Sequence, residues 1–388
     1  MKIYRITEST VPLKGNIANA FVNFSAHTVS LVAVHSDVMR NGKPVVGVAF
    51  NSIGRYGQGG ILRERMIPRL LAARPQDLLN DEGARFDPAK VLACAMKNEK
   101  PGGHGDRAAA ASALELAMWD LNAKLDDEPA YAAIARNYGR TIASRRVPVY
   151  AAGGYYYPGD NTARLRDELR AYRDMGFNAY KMKIGGASLT EDIGRVEAAL
   201  QIAGGGENLA VDANGRFDIS QALEYASALS PYRLRWYEEA GDPLDYELNR
   251  RVIDAYPGAV ATGENLFSVQ DAANLAVFGG MRPDLDIFQM DAGLSYGLTE
   301  YARMLDALEA RGFDRKFAFP HGGHLINLHI VVALGLGGCE AYPGVFQPFG
   351  GYGPDCRIAD GYVEPSDAAG FGLEQKPDLN DVIRQAVA

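Results

Sequence analysis

The sequence has few of the features that mark secreted, membrane or nucleic-acid-binding proteins. Its three cysteines, Cys94, Cys339 and Cys356, are widely spaced without a CxxC pair, which is typical of a reducing compartment rather than a disulfide framework. No segment is apolar enough to span a membrane, and the opening MKIYRITESTVPLKG lacks the apolar core of a signal peptide. The net charge of −8 argues against general binding of nucleic acid or anionic membranes. We therefore expect a soluble, cytoplasmic protein.

The 388 residues are enough for a barrel of about 250 residues and a second, smaller domain. Residues 1–125 combine alternating apolar runs, HTVSLVAVHSD and PVVGVAFNS, with a turn at Asn41-Gly42. Two helical stretches follow, ILRERMIPRLLAA and AAAASALELAMWDLNAKL. This mixture predicts an α+β domain. Residues 346–388 are rich in glycine, proline and aspartate, and we expect them to pack back on that first domain.

Between these two regions, apolar strand segments alternate with helical segments. The strand candidates within residues 146–345 are VPVYAA, NAYKMKI, NLAVD, LRWYE, AVATGE, LDIFQMD, FAFPH and GCEAYP. Seven helical segments separate them, and Ser188 with Glu191 predicts a capping box at the start of the second helix. Regular alternation of this kind is typical of a parallel sheet. The pattern predicts a (β/α)₇β barrel, a modified TIM barrel.

Three acidic residues end successive predicted strands at equal intervals. Asp212 in VDANG, Glu238 in YEEAG and Glu264 in TGENL are 26 residues apart. Because strands of a parallel barrel end at the same mouth, the three carboxylates should lie side by side, where they would repel each other without a cation. Mg²⁺ prefers oxygen ligands of this kind, and the same ligands also suit Mn²⁺. A single acid at a strand end is more often solvated or a helix cap, but the shared spacing favours a metal site.

Two lysines occupy alternate positions of the predicted strand NAYKMKI. Lys181 and Lys183 therefore point to the same side of the sheet, while Met182 points to the other. If that side is the barrel mouth, a lysine crowded by another cation and partly desolvated loses proton affinity and becomes a usable general base. The alternative is a pair of surface lysines on an edge strand, which a central barrel strand does not favour.

The sixth, seventh and eighth predicted strands add further polar groups. Asp291 in QMDAG and His321 in FPHGGH should be neighbours, so that the carboxylate orients the imidazole and favours its protonated form. Glu340 lies where the eighth strand meets the mouth. Asn214 follows Asp212 by two residues, and we expect its amide to support the metal or bind a substrate carboxylate. His324 and His329 belong to the following helix, where a histidine is more often structural or solvent-exposed.

These groups form two potential bases on opposite sides of a predicted metal site. Lys183 comes from the second strand and His321 from the seventh. Such an arrangement suits removal of a proton α to a carboxylate, because a divalent metal stabilises the enediolate that forms.

The motifs together resemble those of the enolase superfamily and, within it, the mandelate racemase subgroup, over essentially the whole chain; the pairing of a Lys or His base with Mg²⁺ is a general description of such sites. The resemblance implies an N-terminal capping domain and a symmetric homo-oligomer. It implies Mg²⁺ ligation by the three acids and acid/base roles for Lys183 and the Asp291–His321 dyad, with Lys181 as partner of Lys183. Glu340 is implied to be a hydrogen-bond donor or an electrostatic group at the substrate carboxylate.

Three segments are most similar to D-tartrate dehydratases: FNSIGRYGQGGILRERMIPRLL, AAGGYYYPGD and FPHGGHLINLHIVVALGLGGCEAYPGVFQPFGGY. This similarity implies β-elimination of water from tartrate to give oxaloacetate. The second carboxylate of tartrate needs a cation or several donors at the cap. The candidates for binding it are Asn19, Phe21, Arg55, Tyr56, Lys100 and His104.

Other functions remain open at the level of sequence. The nearest alternative is a dehydratase of another acid sugar, galactarate or an aldonate, and the next is a racemase or epimerase that uses the same two bases. A non-catalytic ligand-binding barrel would not need every one of these chemical groups.

Overall fold

The computed structural model describes residues 1–15, 17–157, 159 and 161–388. Pro158 and Asp160 of the AAGGYYYPGD segment lie outside the described residues. The first region is a three-stranded antiparallel sheet, β1 (Ile3–Pro12), β2 (Thr28–Arg40) and β3 (Lys43–Phe50), with β2 in the centre. Asn41 and Gly42, at φ 51° and 74°, form the predicted turn between β2 and β3. The strand β1 lies outside the alternating runs from which strands were predicted.

Helices pack on this sheet and on one another. They are α1 (Gly59–Ile61), α2 (Ile67–Ala72), α3 (Pro88–Ala95), α4 (Asp106–Asp126) and α5 (Ala130–Asn137), with a π-helical turn, Leu62–Met66, between α1 and α2. The two predicted helical stretches are thus confirmed, although the first is broken by the π-helical turn just before Pro68. The α4 helix packs so closely on β3 that a Cβ at Gly47 would overlap Ala117 and Leu121. The alanine-rich sequence of α4 permits this close approach.

The second region alternates strand and helix. In chain order its elements are β4 (Val147–Ala152), α6 (Asn161–Asp174), β5 (Tyr180–Lys183), α7 (Leu189–Ala203), β6 (Leu209–Asp212), α8 (Ile219–Leu229), β7 (Tyr237–Glu238), α9 (Tyr246–Ala255), β8 (Val260–Thr262), α10 (Val269–Phe278), β9 (Ile287–Phe288), α11 (Leu298–Glu309), α12 (Leu325–Leu334) and β10 (Cys339–Ala341). The strands form a parallel sheet in the order β10-β4-β5-β6-β7-β8-β9. The capping box of Ser188 and Glu191 at α7 is confirmed.

The predicted strand FAFPH is wrong in extent. This segment makes one parallel bridge, between Ala318 and Phe288, instead of a full strand. Pro320 has no N–H to donate to a sheet, which limits strand pairing here. Even so, the Phe319 N–H donates to Phe288 O (2.8 Å) and the Gly337 N–H donates to Ala318 O (3.0 Å). The segment therefore connects the β9 end of the sheet with the chain that leads into β10, an arrangement consistent with a barrel.

The C-terminal residues contact both regions. The short strand β11 (Tyr362–Val363) pairs antiparallel with the start of β4, and α13 (Pro377–Val387) ends beside β1, where the Thr7 hydroxyl donates to Ala386 O (2.8 Å). The Phe371 N–H donates to the Asp120 carboxylate of α4 (2.7 Å). In the described part of the chain, no helix is long and apolar enough to cross a membrane.

Candidate active site

The parallel register places the acidic residues next to each other. Lys183 pairs with Asp212 across β5 and β6, and Asp212 pairs with Glu238 across β6 and β7. Glu264 follows the end of β8 by two residues, after Gly263 at φ 127°, where a side chain would overlap Met290. One carboxylate oxygen from each of the three acids lies within 4.8 Å of the others. A set of three carboxylates at this separation fits a hard divalent cation such as Mg²⁺.

Both lysines of β5 face this cluster. The Lys183 ammonium lies 2.5 Å from Asp212 Oδ2. The Lys181 ammonium lies 2.7 Å from Glu238 Oε1, 2.8 Å from Glu340 Oε1 and 3.4 Å from Asp212 Oδ2. The prediction that both lysines point to the same side of the sheet is therefore confirmed, and this is the side that carries the three acids.

The sequence led us to expect that crowding by a second cation lowers the pKa of these lysines. For Lys181 the structure indicates the opposite. Burial alone would lower the pKa of Lys181, but Glu238, Glu340 and Asp212 together raise it well above its usual value. Three carboxylates outweigh the neighbouring ammonium group. Lys181 therefore stays charged in this arrangement. The same lysines lower the pKa of Asp212 against the effect of its burial, so Asp212 is ionised.

His321 and Asp291 form the predicted pair. His321 Nδ1 lies 3.2 Å from Asp291 Oδ2. Burial would lower the pKa of His321, but Glu264 and Asp291 raise it to about 9, so the imidazole is protonated at neutral pH. Asp291 also accepts hydrogen bonds from the Asn327 side chain (3.1 Å) and the Gly293 N–H (2.7 Å). These bonds fix the carboxylate that orients His321.

The first region also reaches the dyad. The Ser52 hydroxyl, just after β3, lies 3.0 Å from His324 Nε2, and the Ser52 N–H donates to Gly293 O (3.0 Å). Burial lowers the pKa of His324 to about 4, so this histidine is neutral. His329 is also fully buried and accepts a hydrogen bond from the Tyr131 N–H at Nδ1 (3.2 Å). Both histidines are structural, as expected.

Glu340 contacts both Lys181 and the main chain next to His321. Its Oε1 contacts Lys181, and its Oε2 accepts a hydrogen bond from the Gly322 N–H (2.9 Å). Although burial opposes ionisation, Lys181 and His321 lower the pKa of Glu340. An ionised carboxylate accepts hydrogen bonds but donates none. Of the two roles implied by the resemblance, this ionised state favours the electrostatic one, which stays a prediction.

Asn214 and Glu239 lie next to the three acids of the proposed metal site. The Asn214 N–H donates to Asp212 Oδ1 (2.8 Å), and its amide Nδ2 lies 3.3 Å from Asp212 Oδ2. Sequence reasoning missed Glu239, the second acid of YEEAG, which is 3% exposed and accepts a hydrogen bond from Asn265 Nδ2 (2.8 Å). Burial and the nearby Glu264 raise the pKa of Glu239 well above its usual value. Two adjacent acids at a predicted strand end were the only signal for it.

A cavity of about 320 Å³ opens above these groups. Its walls include Lys181, Lys183, Glu264, His321 and Asn214 from the barrel side. Of the six residues predicted at the cap, three line the cavity: Asn19, Phe21 and Arg55. The tyrosines Tyr155 and Tyr342 also line it, and sequence reasoning identified neither.

The other three cap candidates are not among the residues that line this cavity. Tyr56 is half-exposed, and its ring lies 4.3 Å from that of His27. His104 Nδ1 lies 2.9 Å from the Tyr296 hydroxyl, and Lys100 is exposed. The glycine-rich segment KPGGHGD gives no periodic pattern from which these directions could be inferred.

Comparisons with known proteins agree with this geometry. The family described as "Enolase C-terminal domain-like" matches residues 164–379, more than half of the chain. Arabinonate dehydratase of Saccharolobus solfataricus is 28% identical over 236 residues, which are 60% of each chain. The 3,6-anhydro-alpha-L-galactonate cycloisomerase of Streptomyces coelicolor is 30% identical over 283 residues, 70% of each chain.

Solved structures share the fold over nearly the whole length. The crystal structure of L-talarate dehydratase from Polaromonas sp. JS666, complexed with Mg and L-glucarate, has a TM-score of 0.74 at 20% identity. The similarity covers 98% of this chain and 96% of that one. At this identity the likeness shows the fold alone. Together with the family match over the barrel, it means that the chain belongs to the enolase superfamily.

Proposed function

We propose that this protein is a Mg²⁺-dependent hydro-lyase that removes water from D-tartrate and forms oxaloacetate. The observation that carries the proposal is the position of two proton-transfer groups in one cavity. Lys183 ends β5, and His321 follows the segment that pairs with β9. In the strand order, the carboxylates Asp212 on β6, Glu238 on β7 and Glu264 just after β8 lie between them. A reaction that removes one proton and delivers another needs such a pair.

Asp212, Glu238 and Glu264 would hold the metal. When bound, Mg²⁺ would supply positive charge beside the substrate carboxylate and so make its α-proton more acidic. The charge of Lys181 lies on the same side of the site. Because three carboxylates hold Lys181 in its protonated form, it serves as a fixed cation rather than as a base.

Lys183 is the proposed base. Both lysines line the cavity, but Lys183 is 6% exposed and Lys181 only 1%. As the free amine, Lys183 takes the α-proton, and the electron pair of that C–H bond passes into the substrate carboxylate, which becomes an enediolate. In a second step this pair forms the new C=C bond as the β C–O bond breaks. His321 gives its proton to the departing β-hydroxyl, which leaves as water. The enol product then tautomerises to the α-keto acid, so that atoms and charges balance.

The choice of tartrate rests on the small cavity and on Arg55. A volume of about 320 Å³ is at the lower end of ligand pockets, which favours a short acid over a long polyol. The Arg55 guanidinium lines the cavity and donates to its own neighbour, Gly54 O (2.7 Å); among the described residues it has no carboxylate partner. The guanidinium lies over the Phe267 ring, 5.6 Å from its centroid, a contact that leaves its charge without an anionic partner among the described residues. Arg55 would therefore bind the second carboxylate, and Asn19 and Phe21 would form the same wall.

A second candidate is a dehydratase of an aldonate. It is favoured by the similarity to arabinonate dehydratase, whose name specifies a monocarboxylic sugar acid. An aldonate has no second carboxylate, so it would leave Arg55 without a charged partner. The free guanidinium in the cavity supports the dicarboxylate.

We also propose three domains: a capping domain over residues 1–125, a (β/α)₇β barrel over 146–345 and a C-terminal segment, 346–388, that packs on the capping domain. The contacts of Phe371 with Asp120 and of Thr7 with Ala386 support the last boundary.

The substrate assignment is tested with the purified protein and Mg²⁺. D-, L- and meso-tartrate, galactarate and a set of aldonates are incubated separately, and α-keto acid is detected. Product from D-tartrate alone, abolished by EDTA and restored by Mg²⁺, is the expected result. Product from another acid sugar instead would reject tartrate but keep the reaction. Interconversion of stereoisomers without a keto product would indicate a racemase or epimerase.

A further inference from the structure

Tyr342 is a buried tyrosine next to the acid/base histidine that neither the family motifs nor the proposed mechanism uses. It follows β10 directly, two residues after Glu340, and is 4% exposed. Its hydroxyl lies 3.0 Å from His321 Nε2. Because Nδ1 contacts Asp291, Nε2 is the ring nitrogen left to exchange a proton with substrate.

The Tyr342 ring is held by packing that does not involve its hydroxyl. The Phe346 ring meets it edge to face with centroids 4.9 Å apart. The main chain at Gly323 and Gly350 approaches so closely that a Cβ at either position would contact residue 341 or 342. Loss of the hydroxyl alone should therefore leave the ring where it is.

The hydroxyl is the polar group that is closest to Nε2 in the described structure. The Glu264 carboxylate is farther away: its Oε2 lies 3.7 Å from Nε2, beyond hydrogen-bond distance. Without the Tyr342 hydroxyl, the His321 imidazole would be bonded through Nδ1 to Asp291 alone, and its orientation would be fixed at that nitrogen only. With it, both ring nitrogens have partners, and the imidazole plane is defined.

We propose that Tyr342 is a positioning residue for the acid step: its hydroxyl bonds Nε2 of His321 and, together with Asp291 at Nδ1, fixes the plane of the imidazole that delivers a proton to the leaving hydroxyl. This inference rests on the proposed dehydration. Burial and Glu340 raise the pKa of Tyr342 well above its usual value, so the phenol does not compete with His321 for the proton as a phenolate. The geometry assigns Tyr342 to the step in which the β-hydroxyl leaves. Removal of the α-proton by Lys183 does not involve Tyr342.

This division gives a sharp kinetic test with Tyr342→Phe. In deuterated water, removal of the α-proton by Lys183 appears as exchange into unreacted D-tartrate, while departure of the hydroxyl appears as keto acid. We expect kcat for keto-acid formation to fall about tenfold or more, a part of the ~10²–10⁴ that general acid catalysis contributes. Exchange should fall much less than product formation, so the ratio of exchange to elimination rises.

Tyr256→Phe is the matched control. Tyr256 is 1% exposed, and its hydroxyl has no hydrogen-bond partner among the described residues. It lies between α9 and β8, does not line the cavity, and its variant should keep the wild-type ratio. Equal loss of exchange and elimination in Tyr342→Phe would mean a merely structural role. An unchanged ratio with unchanged rates would overturn the inference while the dehydration stands.

A second measurement separates the inference from the proposed function. In the Mg²⁺-loaded protein labelled with ¹⁵N-histidine, the Nε2 resonance of His321, assigned with His321→Asn, should shift in Tyr342→Phe and not in Tyr256→Phe. An unmoved resonance would reject the contact, whatever the substrate. If the wild-type protein dehydrates no acid sugar but the resonance shifts, the proposed function fails and the assigned contact holds.

Discussion

The barrel mouth and the cap loops face the same cavity, but their side chains are held in different ways. By the barrel mouth we mean the polar groups at the strand ends; by the cap loops we mean residues 17–24 and 53–58. At the mouth, buried charges contact each other at 2.5–3.4 Å, as Lys181 and Lys183 do with three carboxylates. In the cap loops, Asn19 bonds its own turn, Arg55 bonds Gly54 O, and Phe21 is 69% exposed.

The difference indicates a division of labour. Groups that hold one another in a network have little freedom, which suits proton transfer, where small displacements are costly. In the described structure the side chains of Asn19, Phe21 and Arg55 form no hydrogen bond outside their own loops, and such loop residues adjust more easily to a ligand. We therefore expect substitutions at the mouth to change the chemical step and substitutions in the cap loops to change the choice of substrate.

The largest effect is expected for Lys183→Ala. Loss of the base should lower kcat for oxaloacetate formation by about 10²–10⁴. Steady-state assays with D-tartrate measure this loss, and Lys316→Ala, which removes an exposed lysine, is the control. Activity of Lys183→Ala within threefold of wild type would exclude Lys183 as the base.

The next largest effect is expected for Glu264→Gln. Removal of one carboxylate from the triad should weaken Mg²⁺ binding by more than about tenfold, since even groups that only support metal ligands contribute 10–100-fold. Calorimetric titration with Mg²⁺ measures the affinity. Asp242→Asn removes an acid that lines the same cavity outside the triad and should bind Mg²⁺ as the wild type does. Equal affinities for all three proteins would contradict the metal site.

A moderate effect, confined to substrate choice, is expected for Arg55→Ala. A hydrogen bond to a charged group contributes about 1.5–3 kcal/mol, which corresponds to roughly a 10–100-fold rise in KM for tartrate with a smaller change in kcat. Lys100→Ala is the control, because Lys100 is exposed and does not line the cavity. If the two variants have the same KM for tartrate as the wild type, Arg55 does not bind the second carboxylate.

The smallest effect is expected for Ser52→Ala, at the contact between the two regions. This change leaves His324 Nε2 without its partner and should lower the free energy of unfolding by about 1 kcal/mol. Denaturant unfolding measures it. Because Ser52 also supports Asp291, kcat should fall by a few-fold with KM unchanged. A rise in KM alone would place Ser52 with the cap loops instead.

The same comparison explains what the sequence could predict. Asp212, Glu238 and Glu264 were found because strand ends repeat with the barrel period, and the parallel register converts that period into proximity. Lys181 and Lys183 were found through the alternation of strand side chains. Both arguments depend on local geometry that any sequence of this pattern must follow.

Other groups depend on tertiary contacts that no local pattern encodes. Tyr342 follows an apolar strand and is indistinguishable in sequence from a core tyrosine; only the fold brings its hydroxyl to His321. His104 was a reasonable candidate for an anion, but it bonds Tyr296 instead. Pro320 in FAFPH is a local signal of weak strand pairing, because proline has no N–H to donate. The pKa of Lys181 could not be inferred either, since it depends on three carboxylates from three other strands.

The most direct test of the account is solvent exchange by two variants. His321→Asn and Lys183→Ala are each incubated with Mg²⁺ and D-tartrate in deuterated water, and deuterium at the α-carbon and keto acid are measured together. The account predicts exchange without keto acid for His321→Asn and neither for Lys183→Ala. Exchange that persists in Lys183→Ala and disappears in His321→Asn would contradict the assignment of base and acid.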